Sequence, residues 1–440
     1  MTSIDPVAGH RDPTHANAAE AVSMRNAPSV RPGGAVARQA GAVVWAPLLN
    51  RLRDAVRLGQ ISFHRPDGVT MVAGMNTADA RAQGAPVAEV RLHRWRALRR
   101  LFTGGELGFA EAYLDGDWST PDLAAFFRLV QTNRSRLSDM AQGFAVRRAL
   151  AFLFHRRHAN TRRGSRRNIA HHYDLGNGFY QRWLDPSMTY SSALFADDTY
   201  AETLQAAQAR KYRTIMDMAG IGQGDRVLEV GCGWGGFAEL AAAERGADVS
   251  GITLSTEQLA FARERLANAG LADRARFSLT DYRDTTGSYD RIVSIEMFEA
   301  VGEENWPEYF RTIHDRLRPG GEAVIQVITI DDAAFPRYRR RADFIQRYIF
   351  PGGMLPSATA FRDAARTAGL TLKGERFFGR SYECTLRLWQ DAFEAAWPEI
   401  SQMSGFDDRF RRMWRYYLLF CAEGFRDGLI DVGLFHLKRA

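Results

Sequence analysis

The feature that most constrains this chain is a glycine-rich turn between a short apolar run and a helical segment. Residues 225–236 read DRVLEVGCGWGG, and FAELAAAE follows directly. The apolar run ends at the turn, as buried parallel strands do in α/β proteins. A strand that enters a helix through glycines brings backbone N–H groups and a helix N-terminus close to a ligand, because no Cβ keeps the ligand away. The turn therefore predicts an α/β fold with a ligand site at the end of a strand.

The spacing of these glycines is compatible with two classes of ligand. Gly231, Gly233 and Gly236 satisfy the GxGxxG pattern of dinucleotide-binding folds, in which an acidic residue normally ends the next strand. Here the next predicted strand, 247–253, runs into Thr-Leu-Ser without a carboxylate. The acidic residue lies before the turn instead, at Glu229. The resulting E-x-G-x-G-x-G resembles motif I of class I S-adenosylmethionine (SAM) methyltransferases, which favours SAM over a dinucleotide.

Downstream of the turn, predicted strands and helices alternate, which favours a parallel sheet covered on both faces. Strands are predicted at 247–253, 275–279, 289–295, 321–329, 371–378 and 432–437, and helices at 255–269, 305–317, 358–369 and 382–397. We expect the last strand to be antiparallel, at the edge of the sheet. Ligands in such folds lie beyond the carboxyl ends of the strands. Gly231, Thr253, Asp281, Tyr282 and 296–299 should therefore surround one crevice.

The 440 residues are enough for more than one domain. Before the turn, the residues Leu49, Leu52, Val56 and Leu58 fit one helical face, and 61–74 is typical of a hairpin that turns at Pro66-Asp67-Gly68. The predicted division is a disordered tail at 1–40, a small lipid-associated α+β domain at 41–136, a basic linker at 137–170, and a methyltransferase domain at 171–440 with a lid insertion at 331–356.

The charge of the chain favours an anionic partner. The net charge is +7 and the pI about 9.4, and residues 147–167 hold eight arginines, two histidines and no acid. Arg337, Arg339, Arg340 and Arg341 add a second basic group. Basic segments with apolar neighbours are typical of membrane surfaces, although a solvated linker or nucleic-acid binding would also give this composition. No apolar run reaches 18 residues, so we expect a cytoplasmic protein held peripherally on the inner face of an anionic membrane.

Several further blocks resemble the cyclopropane fatty acid synthase family, which includes the mycolic acid cyclopropane synthases. They are HHYDLGNGFY, MTYSSALF, VLEVGCGWGG, GITLSTEQ, DYRD, SIEMFEAVG, YIFPGGMLPS, FGRSYECTLRLW and AAWPEI, and they follow one another over about residues 90–440. The resemblance implies methyl transfer from SAM to a double bond of an acyl chain in an unsaturated phospholipid. The predicted SAM contacts are Tyr190, Ser191, Glu229, Gly231, Gly233, Gly235, Thr253, Leu254, Ser255, Gln258, Tyr282 and Arg283.

In this family a bicarbonate ion acts as the base, held by a glutamate, a tyrosine, a histidine and backbone near a cysteine. The glutamate and tyrosine are Glu299 and Tyr382, whereas Ser192 takes the cysteine position and Gln326 the histidine position. Ile328, on the same predicted strand as Gln326, completes the predicted catalytic set. Serine and glutamine bring no positive charge, so an anion there is held less well by direct charge.

The expected product is a cyclopropane ring, formed when the base removes a proton from the new methyl group. Proton loss from the acyl chain would give a methyl-branched alkene instead. This alternative stays open because Ser192 and Gln326 replace the cysteine and the histidine of the family. Glu296 is unusual for the family, and either a substrate role or an ion pair fits it. A catalytically silent SAM- and lipid-binding protein and a nucleic-acid methyltransferase are further alternatives. The latter should carry an Asn/Asp-Pro-Pro-Tyr-type motif, which SIEMFEAVG lacks. No metal and no nucleic acid are expected, and a homodimer is left open.

Overall fold

The computed structural model describes residues 33–140, 175–197 and 199–440. The predicted disordered tail lies mostly outside these residues, and so does the basic segment 147–167. Within them, two β-sheets form, one of four strands and one of seven. The division into domains with the predicted boundaries stays a prediction.

The smaller sheet has the order β2-β1-β3-β4 and carries helices from the first part of the chain. The predicted helical face at Leu49, Leu52, Val56 and Leu58 is only partly confirmed: the first helix ends at Ala55, and Leu58, which lies beyond it, is 53% exposed. The predicted hairpin at Pro66-Asp67-Gly68 is confirmed. The elements are α1 (Gly33–Ala55), β1 (Gln60–His64), β2 (Thr70–Gly74), α2 (Thr77–Ala82), β3 (Val87–Leu92), α3 (Arg96–Leu114), β4 (Trp118–Ser119), α4 (Leu123–Thr132) and α5 (Arg134–Met140).

The larger sheet has the order β10-β11-β9-β8-β5-β6-β7, with helices packed on both of its faces. The alternation predicted from the sequence is confirmed, with shifts at element ends. Its elements are α6 (Asn177–Tyr180), α7 (Leu204–Ala219), β5 (Arg226–Val230), α8 (Gly236–Arg245), β6 (Asp248–Thr253), α9 (Thr256–Asn268), β7 (Ala275–Leu279), β8 (Tyr289–Ile295), α10 (Trp306–Arg316), β9 (Leu317–Ile330), α11 (Phe335–Tyr338), α12 (Phe344–Tyr348), α13 (Ala358–Thr367), β10 (Leu370–Phe377), α14 (Gly379–Ile400), α15 (Asp408–Arg426) and β11 (Ile430–Arg439).

The predicted edge position of the last strand is wrong. β11 is antiparallel, as expected, but it lies between β9 and β10 and pairs with both. The physical reason is its apolar content on both faces, since Val432, Leu434, Phe435 and Leu437 are each at most 1% exposed. A strand buried on both faces is stable inside a sheet, whereas β10, which is mostly exposed, forms the edge.

The insertion at 331–356 and α15 connect the two sheets. Tyr416 of α15 packs against Phe127 of α4 at 4.8 Å and against Phe344 of the insertion at 4.4 Å between ring centroids. The Tyr348 hydroxyl donates to Glu111 of α3 at 2.8 Å. The insertion is therefore packed against the first part of the chain. No helix in the described ranges combines the length and apolar character needed to cross a membrane.

Candidate active site

A cavity opens beyond the carboxyl ends of β5, β6 and β8, where the sequence predicted a crevice. Its floor is the glycine turn after β5, whose Gly231 and Cys232 N–H groups donate to the carbonyl of Ile252 on β6 at 3.0 and 2.9 Å. The segment before α7 supplies one wall and the turn after β8 the other. The lining residues are Met188, Thr189, Tyr190, Ser191, Tyr212, Glu229, Val230, Gly231, Cys232, Gly233, Trp234, Gly236, Ile252, Thr253, Leu254, Gln258, Thr280, Tyr282, Ile295, Glu296, Met297 and Ala300.

The glycine turn requires glycine for two different reasons. Gly231 has φ 85° and Gly233 φ 51°, in the left-handed region that side chains disfavour. A Cβ on Gly231 would lie 2.9 Å from Met297 Cγ. A Cβ on Gly233 would meet no protein atom within 4 Å, so its Cα faces open space at the cavity. Gly233 therefore leaves room for a ligand, whereas Gly231 leaves room for a neighbouring side chain.

Nine of the twelve predicted cofactor contacts line this cavity, and Gly235, Ser255 and Arg283 do not. A Cβ on Gly235 would lie 3.1 Å from both Ala262 and Phe277, so this glycine serves helix packing. Ser255 caps α9 by accepting from the Gln258 N–H at 3.2 Å. The Arg283 guanidinium is paired with Asp281 through contacts of 2.8 and 2.7 Å.

Glu296 is the centre of the predicted catalytic cluster. Its Oε1 accepts from the Ser192 N–H at 2.8 Å and from Gln326 Nε2 at 2.7 Å, and its Oε2 accepts from the Tyr382 hydroxyl at 2.7 Å. Ser192 and Gln326 are fully buried, and Tyr382 is 6% exposed. Ser192, Gln326 and Tyr382, which were predicted to hold a bound anion, therefore bind the carboxyl group of Glu296 instead.

The backbone of Glu296 is held in an unfavourable conformation. It follows β8 directly and has φ 49°, where a residue with a side chain costs about 1–2 kcal/mol. Its N–H donates to the Gln326 carbonyl at 2.9 Å, so Gln326 binds both its backbone and its side chain. Strain of this kind persists only where the surroundings enforce it, and it is frequent at functional sites.

Glu299 provides a second carboxyl group next to the first. Its Oε1 accepts from the Ile328 N–H at 2.6 Å, while its buried Oε2 has no hydrogen-bond partner. Burial, with repulsion from Glu296, raises the pKa of Glu299 to about 8, against the opposing effect of the Ile328 N–H. Glu299 therefore keeps its proton at neutral pH.

Burial also raises the pKa of Glu296, but several groups oppose the shift. The Tyr382 hydroxyl, the Ser192 N–H, the Lys211 ammonium and the Gln326 amide all favour the ionised form. Two adjacent carboxyl groups rarely ionise together, and the one with more donors carries the charge. We therefore assign the carboxylate to Glu296, which can act as a base on a group in the cavity.

Comparison with known proteins identifies the family of this chain. The profile of mycolic acid cyclopropane synthetase matches residues 160–435. The tuberculostearic acid methyltransferase of Mycobacterium tuberculosis is 39% identical over 401 residues, which cover 89% of this chain and 91% of that protein. The chain belongs to the mycolic acid cyclopropane synthetase family. A second relative is the cyclopropane-fatty-acyl-phospholipid synthase of Escherichia coli. It is 35% identical over 358 residues, which cover 80% of this chain and 88% of that protein.

Solved structures agree with membership of the cyclopropane synthetase family. A mycolic acid cyclopropane synthase, solved with S-adenosylhomocysteine and the detergent CTAB, matches with a TM-score of 0.58 and 32% identity, covering 62% of this chain and 98% of that one. Coclaurine N-methyltransferase has the same TM-score at 18% identity, which shows the fold alone. The predicted fold class is confirmed, and the protein is a SAM-dependent methyltransferase whose relatives act on lipids.

The cavity of this synthetase family member fits SAM. The buried Glu229 Oε2 lines it without a hydrogen-bond partner, which suits a ligand hydroxyl or amine group, and Gly233 leaves it open. Bicarbonate does not fit the described residues. The donors expected for it, on Ser192, Gln326 and Tyr382, are engaged by Glu296, and a second anion there would be repelled.

Sequence reasoning missed part of the site. Thr189, Trp234, Thr280 and Met297 line the cavity but were not selected, although Trp234 lies within the glycine motif. The central role of Glu296 was left open, because no local pattern indicates that a residue after a strand turns into a left-handed conformation. Its place in the motif SIEMFEAVG, one turn before Glu299, was the available signal.

Replacing Glu299 should change how stability depends on pH. Because the folded-state pKa is raised, the contribution of Glu299 is fully present below pH 4.5 and is lost as pH rises towards 8. Glu299→Gln should therefore lose less free energy of unfolding than wild type between pH 5 and 8, as measured by urea titration. Glu264→Gln, at an exposed position, should keep the wild-type slope. Equal slopes for Glu299→Gln and wild type would contradict the assignment.

Proposed function

We propose that this protein transfers the methyl group of SAM to a double bond of an unsaturated phospholipid acyl chain, and that Glu296 then removes a proton from the chain. The product is a methyl-branched unsaturated acyl chain. The single observation that carries this choice is the Glu296 carboxylate bound by Ser192, Gln326 and Tyr382.

SAM, when bound, supplies an electrophilic methyl group on a sulfonium. The open face of Gly233 and the carboxyl group of Glu229 would bind it in the cavity, which Thr253, Gln258 and Tyr282 also line. The predicted contacts Gly235, Ser255 and Arg283 do not line the cavity and are engaged in packing, helix capping and ion pairing, respectively. Glu296 lines the same cavity, so the base would share it with the methyl donor.

The reaction balances with the groups at hand. The double bond supplies the electron pair for the new carbon–carbon bond, while the bond between sulfur and methyl breaks with its electrons to sulfur. The acyl chain is left with a carbocation. Glu296 accepts a proton from a carbon next to that centre, and the C–H electron pair restores a double bond. Glu299, which keeps its proton at neutral pH, adds no second negative charge near the base.

The branched product is favoured because the base is a side chain of the protein and not a bound ion. A bound ion can sit wherever its donors allow, whereas the Glu296 carboxylate has three fixed donors and a fixed backbone. The proton that leaves is the one within its reach. The relationship to a tuberculostearic acid methyltransferase supports this reading. Ring closure is the second candidate, because a cyclopropane-fatty-acyl-phospholipid synthase is also a relative.

Product analysis tests the proposal. Purified protein, SAM and vesicles of an unsaturated phospholipid are incubated in buffer purged of carbon dioxide, and the fatty acyl esters are examined by proton NMR. We expect a branched-methyl signal together with a retained olefinic proton. High-field cyclopropane methylene signals would support the second candidate. Converting Ser192 to Cys and Gln326 to His tests whether these two donors control which proton is lost.

We further propose that the protein works at an anionic membrane surface. Arg337, Arg340 and Arg341 of the insertion are exposed, and so is Arg339, which pairs with Glu303. Each basic residue near an anionic surface contributes about 1 kcal/mol. The basic segment 147–167 stays a prediction, because it lies outside the described residues.

Charge reversal in the insertion should weaken binding to anionic vesicles. The double change Arg340→Glu and Arg341→Glu should lower the affinity by at least about tenfold at low salt, since two attractions become repulsions. Cosedimentation with vesicles containing anionic lipid measures this. The pair Arg276→Glu and Arg311→Glu, two exposed positions with the same change of net charge, is the control. Equal losses for both pairs would indicate that net charge, rather than the insertion, governs binding.

A further inference from the structure

One helix face behind the active site is polar although it is fully buried. Gln208 and Lys211 lie one turn apart on α7, and both are 0% exposed. Both bind Ser191, the residue before the one that donates its N–H to Glu296. Gln208 Nε2 donates to the Ser191 carbonyl at 2.8 Å, and Lys211 Nζ donates to Ser191 Oγ at 2.5 Å.

The hydrogen bond from Gln208 and the hydrogen bond to Glu296 involve the same peptide unit. The Ser191 carbonyl, which accepts from Gln208, and the Ser192 N–H, which donates to Glu296 at 2.8 Å, belong to the same amide. Donation to a carbonyl withdraws electron density from its amide and strengthens the N–H as a donor. Gln208 therefore strengthens the hydrogen bond to the Glu296 carboxylate through one polarised peptide, without contacting Glu296 itself.

Lys211 has a fully buried amino group. Among the described residues, its Nζ contacts Ser191 Oγ and the ring of Tyr212, 4.5 Å from the ring centroid, and no carboxylate within ion-pair distance. An ammonium removed from water in this way is costly unless other charges compensate it. The carboxylates that act on it are Glu296 from the turn after β8, Glu229 from β5 and Asp185 from the loop after α6.

We propose that Gln208 and Lys211 are positioning residues that keep the Glu296 carboxylate ionised and in place. The proposal rests on the function proposed above, in which Glu296 is the base. The other groups that act on Glu296 are the Tyr382 hydroxyl from α14, the Gln326 amide from β9 and Glu299 from the same turn. Of all these groups, Lys211 alone can supply a positive charge.

The titration of the pair gives the direction of the effect. Burial lowers the pKa of Lys211 to about 7, and the three carboxylates oppose this shift. While Lys211 is protonated, it favours ionised Glu296 and so lowers the pKa of that carboxyl. Without the ammonium, Glu296 should hold its proton up to a higher pH.

The test is the pH profile of kcat/KM for Lys211→Met, with the same vesicle substrate. We expect the acidic limb to move up by about one pH unit, so that activity falls about tenfold on this limb and recovers at higher pH. Lys373→Met, at an exposed position, should keep the wild-type profile. A uniform loss at every pH, or an unmoved limb, would overturn the proposal.

Two further variants make the result unambiguous. Gln208→Leu retains the ammonium and should move the limb in the same direction by less; if Lys211→Met fails to fold, an unmoved limb in Gln208→Leu overturns the proposal. Glu296→Gln is measured in parallel. If it stays active, the proposed function fails. If it is inactive while the limb of Lys211→Met does not move, only the present inference fails.

Discussion

Glu296→Gln should abolish turnover while leaving the fold and SAM binding intact. The substitution keeps the size of the side chain and two of its contacts, but it removes the group that accepts the proton. Loss of a general base typically lowers rates by about 10²–10⁴-fold. Methyl transfer to vesicles containing unsaturated phospholipid measures the loss, and calorimetry with SAM measures binding.

A matched control and a chemical rescue make this result specific. Glu264→Gln carries the same change at an exposed position of α9 and should be fully active. Glu296→Ala removes the carboxylate but leaves the donors of Ser192, Gln326 and Tyr382 in place. Added formate should then occupy this space and restore part of the activity. Full activity of Glu296→Gln would rule out Glu296 as the base.

Gly233→Leu should abolish SAM binding. Its side chain would enter the space that the protein leaves open beside the glycine turn, where no atom lies within 4 Å of an added Cβ. We expect the affinity to fall by at least about 100-fold, which corresponds to about 2.7 kcal/mol. Calorimetric titration with SAM gives the affinity, and circular dichroism shows whether the fold is retained.

The control for this substitution must carry the same backbone strain. Gly270 has φ 68°, close to the 51° of Gly233, and an added Cβ there would also meet nothing within 4 Å. It lies in the turn after α9, outside the cavity lining. Gly270→Leu should therefore bind SAM like wild type. Equal loss in both variants would mean that strain, and not blocked space, explains the effect.

Much of the fold was predictable, because its signals are local. The strand at β5, the glycine turn and α8 follow one another within a few residues, and their apolar periodicity and left-handed glycines depend on nearby atoms only. The alternation of strands and helices likewise predicted the larger sheet and the position of the ligand crevice. The order of the strands was not local, and the position of β11 between β9 and β10 was missed.

The sequence alone determined the family, the methyltransferase sheet and the cavity, together with the residue types at the base site. Only the tertiary structure decided which of those residues form hydrogen bonds with one another. Ser192, Gln326 and Tyr382 are separated from Glu296 by 104, 30 and 86 positions, and each depends on a different element for its place. A carboxylate is stable inside a protein only where such donors converge on it, and convergence over these separations is a property of packing that no local pattern records.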